Sequence, residues 1–159
     1  MLSHYDNATL YNDSIVAQIV KRFQKQDAIV IYVPDHGEEC YEENRGFICR
    51  NHSANIDWPL AHYEFEIPFW IYCSPKCIKN HRDIYRQIRK AKDKRFMTDA
   101  LPHLLLYLAG IETPTYKEEY NILSPKYNEM RPRILKNSVD YDKLRDEYYK
   151  KQEKKGAKK

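Results

Sequence analysis

The sequence contains an uninterrupted apolar run, AIVIYV at residues 28–33, and this run constrains the fold more than any other feature. A short run of this kind that ends at turn residues is typical of a strand buried on both faces of a parallel sheet. Pro34 and Gly37 provide the turn residues. Because parallel strands need helical connections that cover the sheet, the run predicts an α/β fold with a mostly parallel central sheet flanked by helices.

Two polar residues, Asp35 and His36, follow this predicted strand directly. Carboxylate and imidazole groups are good ligands for a divalent metal, and open α/β sheets build their sites at the carboxyl ends of strands. Adjacent residues can reach one ion only if the turn is sharp, and Gly37 makes a sharp turn sterically cheap. A three-residue motif recurs by chance, so a metal site and a capped turn both remain open on this motif alone.

Upstream of the strand, residues 5–26 predict an amphipathic helix. Its apolar side chains recur at four-residue steps: Tyr11, Ile15, Ile19 and Phe23. A helix followed by a strand is half of a βαβ repeat, and there is no room for a preceding strand before residue 5. We therefore expect the sequence to be the C-terminal portion of such a fold, beginning in its middle.

Downstream of the strand, residues 37–60 are polar and predict a long loop, of the kind that is usually functional. A second strand is predicted at residues 67–73, entered through Pro68. A basic surface helix is predicted at residues 80–94.

A further apolar helix is predicted to end at Gly110, which suits the position just after a helix. Thr98 or Asp99 is its predicted N-cap, and Pro102 is tolerated in its first turn. The chain beyond it, to about residue 138, predicts mostly irregular structure.

The net charge of +4 belongs mainly to the C-terminal end. Residues 139–159 hold eight Lys or Arg against five Asp or Glu, so the rest of the chain is nearly neutral and predicts no nucleic-acid surface. This stretch predicts a charged helical or disordered tail after a domain at residues 1–138. No stretch approaches the roughly 20 apolar residues of a membrane span, and no signal-peptide pattern is present, so a soluble chain is expected.

Four cysteines, Cys40, Cys49, Cys73 and Cys77, are compatible with three disulfide connectivities or with free thiols. Cys73 with Cys77, and Cys40 with Cys49, could each close a small loop, but the strict geometry of a disulfide leaves free thiols equally open. Their spacing does not match a zinc ribbon.

Several longer motifs resemble the C-terminal part of the phosphoethanolamine transferases of the alkaline phosphatase and sulfatase superfamily. The similarity occurs in the family's order, from about residue 5 to residue 133. Its motifs are YDNATLYNDSIVAQIV, VIYVPDHGEECYEE, YEFEIPFWIYCSPKC and KDKRFMTDALPHLLLYLAGI.

The resemblance implies roles for particular residues. Asp35 and His36 match the family's paired zinc ligands, and Glu38 belongs to the same motif with a supporting role in holding the turn or a ligand. His52 matches a histidine that contacts the substrate phosphate or a second zinc ion. His62 competes for that role and is disfavoured by its spacing.

The same resemblance implies zinc-dependent transfer of phosphoethanolamine from phosphatidylethanolamine to a lipid A or core-sugar acceptor of lipopolysaccharide type. Family members are inner-membrane proteins with a periplasmic catalytic domain. Their threonine nucleophile precedes the part of the domain that this sequence resembles, and Thr9, Thr98, Thr113 and Thr115 lie in the wrong contexts to replace it. The chain alone is therefore expected to be inactive.

Two alternatives remain. One keeps the superfamily and changes the substrate to sulfate esters or other phosphodiesters. The other is a non-catalytic remnant that binds a metal or phosphate and self-associates through an exposed sheet edge.

Overall fold

The computed structural model of the protein describes residues 2–49, 55–136 and 138–156. The chain divides into two compact units. The first takes in the chain up to Gln24, Ile29–Tyr72 and the chain from Pro132 onward, and the second takes in Lys25–Ala28 and Cys73–Arg131. The candidate metal motif lies in the first unit.

The first unit contains most of the strands. Its elements, in chain order, are α1 (Leu2–Phe23), β1 (Ile29–Tyr32), β2 (Glu39–Cys40), β3 (Phe47–Cys49), α2 (Trp58–Phe65), β4 (Trp70–Cys73, whose last residue opens the second unit), β5 (Ile134–Leu135), β6 (Val139–Asp140) and α6 (Tyr141–Gly156).

The strands of the described residues form three two-stranded sheets: β1 with β4, β2 with β3, and β5 with β6. Both predicted apolar strands are confirmed, in shorter form, as β1 and β4, and they pair with each other. The predicted burial of β1 on both faces is wrong for the described residues, because Ile29–Tyr32 are only half-buried. The aromatic rings of Tyr32 and Trp70 stack between these strands, with centroids 5.2 Å apart.

The prediction of a long loop at residues 37–60 is wrong, because β2 and β3 form an antiparallel hairpin and α2 follows it. Tyr41, Asn44 and Gly46 all adopt positive φ between the two strands, and Tyr41 N donates to Gly46 O at 2.9 Å. Such short strands carry too few residues to show a two-residue periodicity.

Helix α2 begins where the sequence places a capping residue and a proline. Asp57 Oδ1 accepts a hydrogen bond from Leu60 N at 3.0 Å, and Pro59 lies in the first turn. Both are ordinary N-terminal signals. Trp58, in the first turn, belongs to the core cluster of the first unit, which also contains Ala61, Leu135 and Tyr141.

Helix α1 confirms the predicted N-terminal helix, but its apolar stripe is largely uncovered. Leu10 is 69% exposed and Tyr11 is 70% exposed, and Ile15 and Ile19 are also exposed. In the part of the chain that the structure describes, this stripe therefore contributes little burial.

The second unit contains α3 (Pro75–Asn80), α4 (Arg82–Ala91) and α5 (Leu101–Leu108). The predicted basic helix is confirmed as α4, whereas α3 was not predicted from the sequence. Ser74 Oγ caps α3 by accepting a hydrogen bond from Cys77 N at 3.0 Å.

The predicted end of α5 is confirmed at Gly110, which has φ +66°. Gly110 N donates to Tyr107 O at 3.1 Å, and Ile111 N donates to Leu106 O at 2.9 Å, which is the Schellman pattern. The predicted N-cap is wrong, because the helix begins after Ala100 without a side-chain cap.

Thr98 instead opens a short 3₁₀ turn, Thr98–Ala100. Asp99 forms a two-pronged ion pair with Arg131, with contacts of 2.5 and 2.6 Å. Both oxygens of this carboxylate are therefore engaged by one guanidinium group.

The C-terminal charged stretch is helical over α6, and its first turn is part of the first unit's core. Tyr141 is buried there, and the Arg133 guanidinium lies 4.3 Å from the centre of its ring. Among the described residues, no helix has both the length and the apolar character needed to cross a bilayer.

Candidate metal site

Asp35 and His36 lie in the turn that follows β1, as the sequence predicted from the strand's end. The Asp35 side chain is 85% exposed and the His36 side chain 21% exposed. Asp35 Oδ1 also accepts a hydrogen bond from His36 N at 3.1 Å, which turns the carboxylate back toward the imidazole. The pair therefore presents a carboxylate and an imidazole together at an accessible surface.

The imidazole of His36 is oriented by the backbone. Its Nδ1 lies 2.8 Å from Gly37 O. Because a carbonyl oxygen can only accept, this contact is a hydrogen bond only when Nδ1 carries a hydrogen, which leaves Nε2 as the ring nitrogen that can bind a metal. That nitrogen faces Asp35 Oδ2 at 3.3 Å.

Two electron-rich atoms at this separation fit a bound cation. A metal-ligating histidine typically donates its other ring nitrogen to a carbonyl or carboxylate, as His36 does. Asp35 Oδ2 and His36 Nε2 are both zinc-type ligands, and each needs only a small adjustment to reach one ion at about 2 Å. The residues present thus fit two positions of a zinc site.

A glycine is required at position 37 because a larger side chain would not fit there, and not because of its backbone angles. Its φ is not in the left-handed region, which corrects the expectation that glycine serves here to make a sharp turn. A Cβ at this position would lie 2.1 Å from Tyr63 O, and Gly37 N donates to Glu64 O at 2.8 Å. The turn is therefore pressed directly against the last part of α2.

Glu39 begins β2 and is fully buried, a feature that the sequence analysis missed. Arg45 Nε lies 2.6 Å from Glu39 Oε1, and Arg45 Nη1 lies 2.5 Å from Asp57 Oδ2. Burial raises the pKa of the Glu39 carboxyl, and the charge of Arg45 opposes that rise. Two adjacent glutamates in a polar stretch carry no sign of which one is buried.

Glu38, beside it, is partly buried, and its supporting role stays a prediction.

His62 lies on α2, and the role considered for it stays a prediction. Its ring stacks on Trp58 with centroids 5.7 Å apart, and Nδ1 lies 3.1 Å from Glu66 Oε2. Glu66 also accepts a hydrogen bond from Tyr141 Oη.

His52 lies outside the described residues. Within the residues that are described, no three His, Cys, Asp or Glu side chains converge as a metal site, so the structure brings together only Asp35 and His36.

The cysteines with described side chains, Cys40, Cys73 and Cys77, are buried, and none of them forms a disulfide within the described residues. Burial, together with the neighbouring Cys77, raises the pKa of Cys73 to about 11. Burial also raises the pKa of Cys77, so Cys73 and Cys77 are poor nucleophiles and poor metal ligands at neutral pH.

Residues 1–111 match the sulfatase family, and the chain belongs to that family. The chain is 32% identical, over 148 residues, to the phosphoethanolamine transferase EptC of Escherichia coli (strain K12). It is 29% identical, over 98 residues, to the Kdo(2)-lipid A phosphoethanolamine 7''-transferase of the same strain. These alignments cover 88% and 60% of this chain, but only 24% and 16% of the relatives.

The fold matches the crystal structure of the C-terminal periplasmic domain of EptC from Escherichia coli, also solved as a complex with Zn. The TM-score is 0.69 at 30% sequence identity, over 87% of this chain and 39% of that domain. The chain thus spans about a quarter of the curated relative and two fifths of the solved domain.

Proposed function

We propose that this chain carries part of the zinc site of a phosphoethanolamine transferase, with Asp35 and His36 as ligands. The orientation of His36 carries the proposal: the Gly37 carbonyl holds the Nδ1 hydrogen, and Nε2 faces the Asp35 carboxylate at 3.3 Å. The names of the relatives support the reaction, and the structure of a relative's domain in complex with Zn supports the metal.

The proposed roles of Asp35 and His36 follow from the chemistry of their side chains. Bound zinc neutralises the non-bridging oxygens of a phosphoryl group and lowers the pKa of a hydroxyl nucleophile. Asp35 supplies a negative ligand, and its exposure leaves room for a phosphoryl group beside it. His36 supplies a neutral nitrogen ligand whose orientation is fixed by Gly37 O. In this proposal, His52 contacts substrate phosphate or a second ion, and Glu38 supports the turn.

The proposed substrates are phosphatidylethanolamine as donor and a lipid A or core-sugar acceptor. One relative is named for action on Kdo(2)-lipid A, and a solved domain of another is described as periplasmic, which supports a periplasmic lipopolysaccharide-type acceptor. We also propose that β1 and β4 belong to a larger, mostly parallel sheet.

Turnover is proposed to need a nucleophile from outside this sequence, because three of the chain's four threonines form hydrogen bonds elsewhere. Thr9 Oγ1 donates to Tyr5 O at 3.1 Å within α1, and Thr113 and Thr115 bond each other at 3.1 Å in a loop. Phosphodiesterase turnover by the purified chain, abolished by His36→Ala, would contradict this part of the proposal.

Calorimetric titration of the purified, metal-free chain with Zn²⁺ tests the ligand assignment. We expect binding that weakens at least tenfold in Asp35→Ala and in His36→Ala. The chain offers a matched control, because His81 Nε2 also lies 3.3 Å from a carboxylate oxygen, Asp27 Oδ2. His81→Ala should bind zinc like the wild type, and equal losses in all three variants would contradict the proposal.

A further inference from the structure

The metal turn, which is the segment after β1 that carries Asp35 and His36, is held in place at two points. At the first, Gly37 N donates to Glu64 O, in the last turn of α2. At the second, Glu39 is buried against the Arg45 guanidinium. Only residue 38 separates these two attachment points, so little freedom remains for the peptide groups between them.

Arg45 reaches the first turn of α2 through Asp57. Its Nη1 contacts Asp57 Oδ2 at 2.5 Å, while the other oxygen of that carboxylate caps Leu60 N at 3.0 Å. The Arg45 side chain is only 28% exposed, so water competes weakly for these contacts. One guanidinium thus joins the hairpin turn, the start of β2 and the start of α2.

The fixed peptide groups include the carbonyl that orients the histidine. Gly37 O is the acceptor for His36 Nδ1, and its direction is set by the peptide plane between residues 37 and 38. We propose that Arg45 is a positioning residue for the metal site: by holding Glu39, it fixes the Gly37 carbonyl, which keeps the Nε2 lone pair of His36 directed at Asp35. The inference rests on the proposed zinc-binding role of His36.

The charge balance explains why Arg45 is needed. Its single positive charge lies between two carboxylates, Glu39 and Asp57, and among the described residues neither Glu39 oxygen receives a well-aligned hydrogen bond. Without Arg45, the Glu39 carboxylate would remain buried without a compensating cation, which is strongly unfavourable. Movement of Glu39 toward water would displace the backbone that leads back to Gly37.

The tautomer of His36 in the metal-free chain is the first readout, measured from the ¹⁵N chemical shifts of its imidazole. We expect the wild type to show the Nδ1–H tautomer and Arg45→Met to show a mixture of both tautomers. Arg86→Met is the matched control, because Arg86 forms an exposed pair with Asp83 at 3.0 Å. It should leave the His36 spectrum unchanged.

Zinc affinity is the second readout, measured by competition with a chelating indicator. Arg45→Met should weaken Zn²⁺ binding by about tenfold, as is typical when a group that orients a ligand is lost. The double variant Glu39→Gln with Arg45→Met should recover much of that loss, because it removes the uncompensated charge. If Arg45→Met does not fold, Arg45→Lys takes its place in both readouts, because a single ammonium group cannot reproduce the forked contacts of Arg45 with Glu39 and Asp57.

The outcomes separate this inference from the proposed function. If the wild type binds no zinc, the proposed function fails, and the His36 spectrum still decides the role of Arg45. If the wild type binds zinc, but Arg45→Met keeps the wild-type tautomer and a dissociation constant within twofold of it, Arg45 serves stability alone and the inference is overturned.

Discussion

Replacement of Gly37 by alanine tests the close approach between the metal turn and α2. The added Cβ would lie 2.1 Å from Tyr63 O, whereas ordinary van der Waals contact begins at 3.4 Å. The turn must therefore move by about 1 Å, which costs about 1–3 kcal/mol as overpacking. Loss of the hydrogen bond from Gly37 N to Glu64 O adds about 1 kcal/mol.

We expect Gly37→Ala to lower the free energy of unfolding by about 2–4 kcal/mol, a large share of the about 5–15 kcal/mol typical of a domain. Urea unfolding followed by tryptophan fluorescence measures this quantity, because Trp58 and Trp70 both lie in the first unit with Gly37. Gly156→Ala is the control for an unhindered site, since nothing lies within 4 Å of its added Cβ.

A second control separates the cost of a steric clash from the cost of backbone strain. Gly46 has φ +83°, and nothing lies within 4 Å of the position that an added Cβ would take, so Gly46→Ala should cost about 1 kcal/mol through strain alone. If Gly37→Ala proves no more destabilising than Gly46→Ala, the turn is not pressed against α2 as described.

Three further results are expected. At pH 8 only about a thousandth of Cys73 is thiolate, and both Cys73 and Cys77 are buried, so they should resist iodoacetamide until urea unfolds the chain. Peptide mass spectrometry measures this labelling, and rapid labelling of the native chain would refute the burial of the two thiols. The hydrogen bond from Arg131 lowers the pKa of Asp99 below its ordinary 3.8, so this pair should stabilise the chain above that pH and lose its effect as acid protonates Asp99. Circular-dichroism melting curves below pH 4 should therefore depend less on pH in Asp99→Asn, and an unchanged dependence would contradict the linkage. The exposed apolar side chains of α1 predict concentration-dependent association in light scattering, whereas a monomer over a wide concentration range would count against it.

The elements that the sequence predicted are those with strong local signals. The run at residues 28–33 predicted a strand, and Gly110 after an apolar stretch predicted the end of a helix, because each signal acts within a few residues. The position of Asp35 and His36 after β1 followed from the same strand. These features need no knowledge of distant partners.

The features that sequence reasoning missed depend on contacts between distant residues. The burial of Glu39 depends on Arg45 and Asp57, and neither partner is marked in the sequence. In the sequence, the position of Asp99 predicts a helix cap, and only the structure shows that its carboxylate pairs with Arg131. The reason for Gly37 was misjudged in the same way, because Tyr63 O is 26 residues further along the chain.

Anomalous diffraction at the zinc absorption edge, from crystals of the zinc-loaded chain, tests the central claim most directly. The account predicts a peak about 2 Å from both Asp35 Oδ2 and His36 Nε2, with Nδ1 still directed at the Gly37 carbonyl. A peak bound through His36 Nδ1, or one at the Asp27–His81 pair with none at the turn after β1, would contradict it.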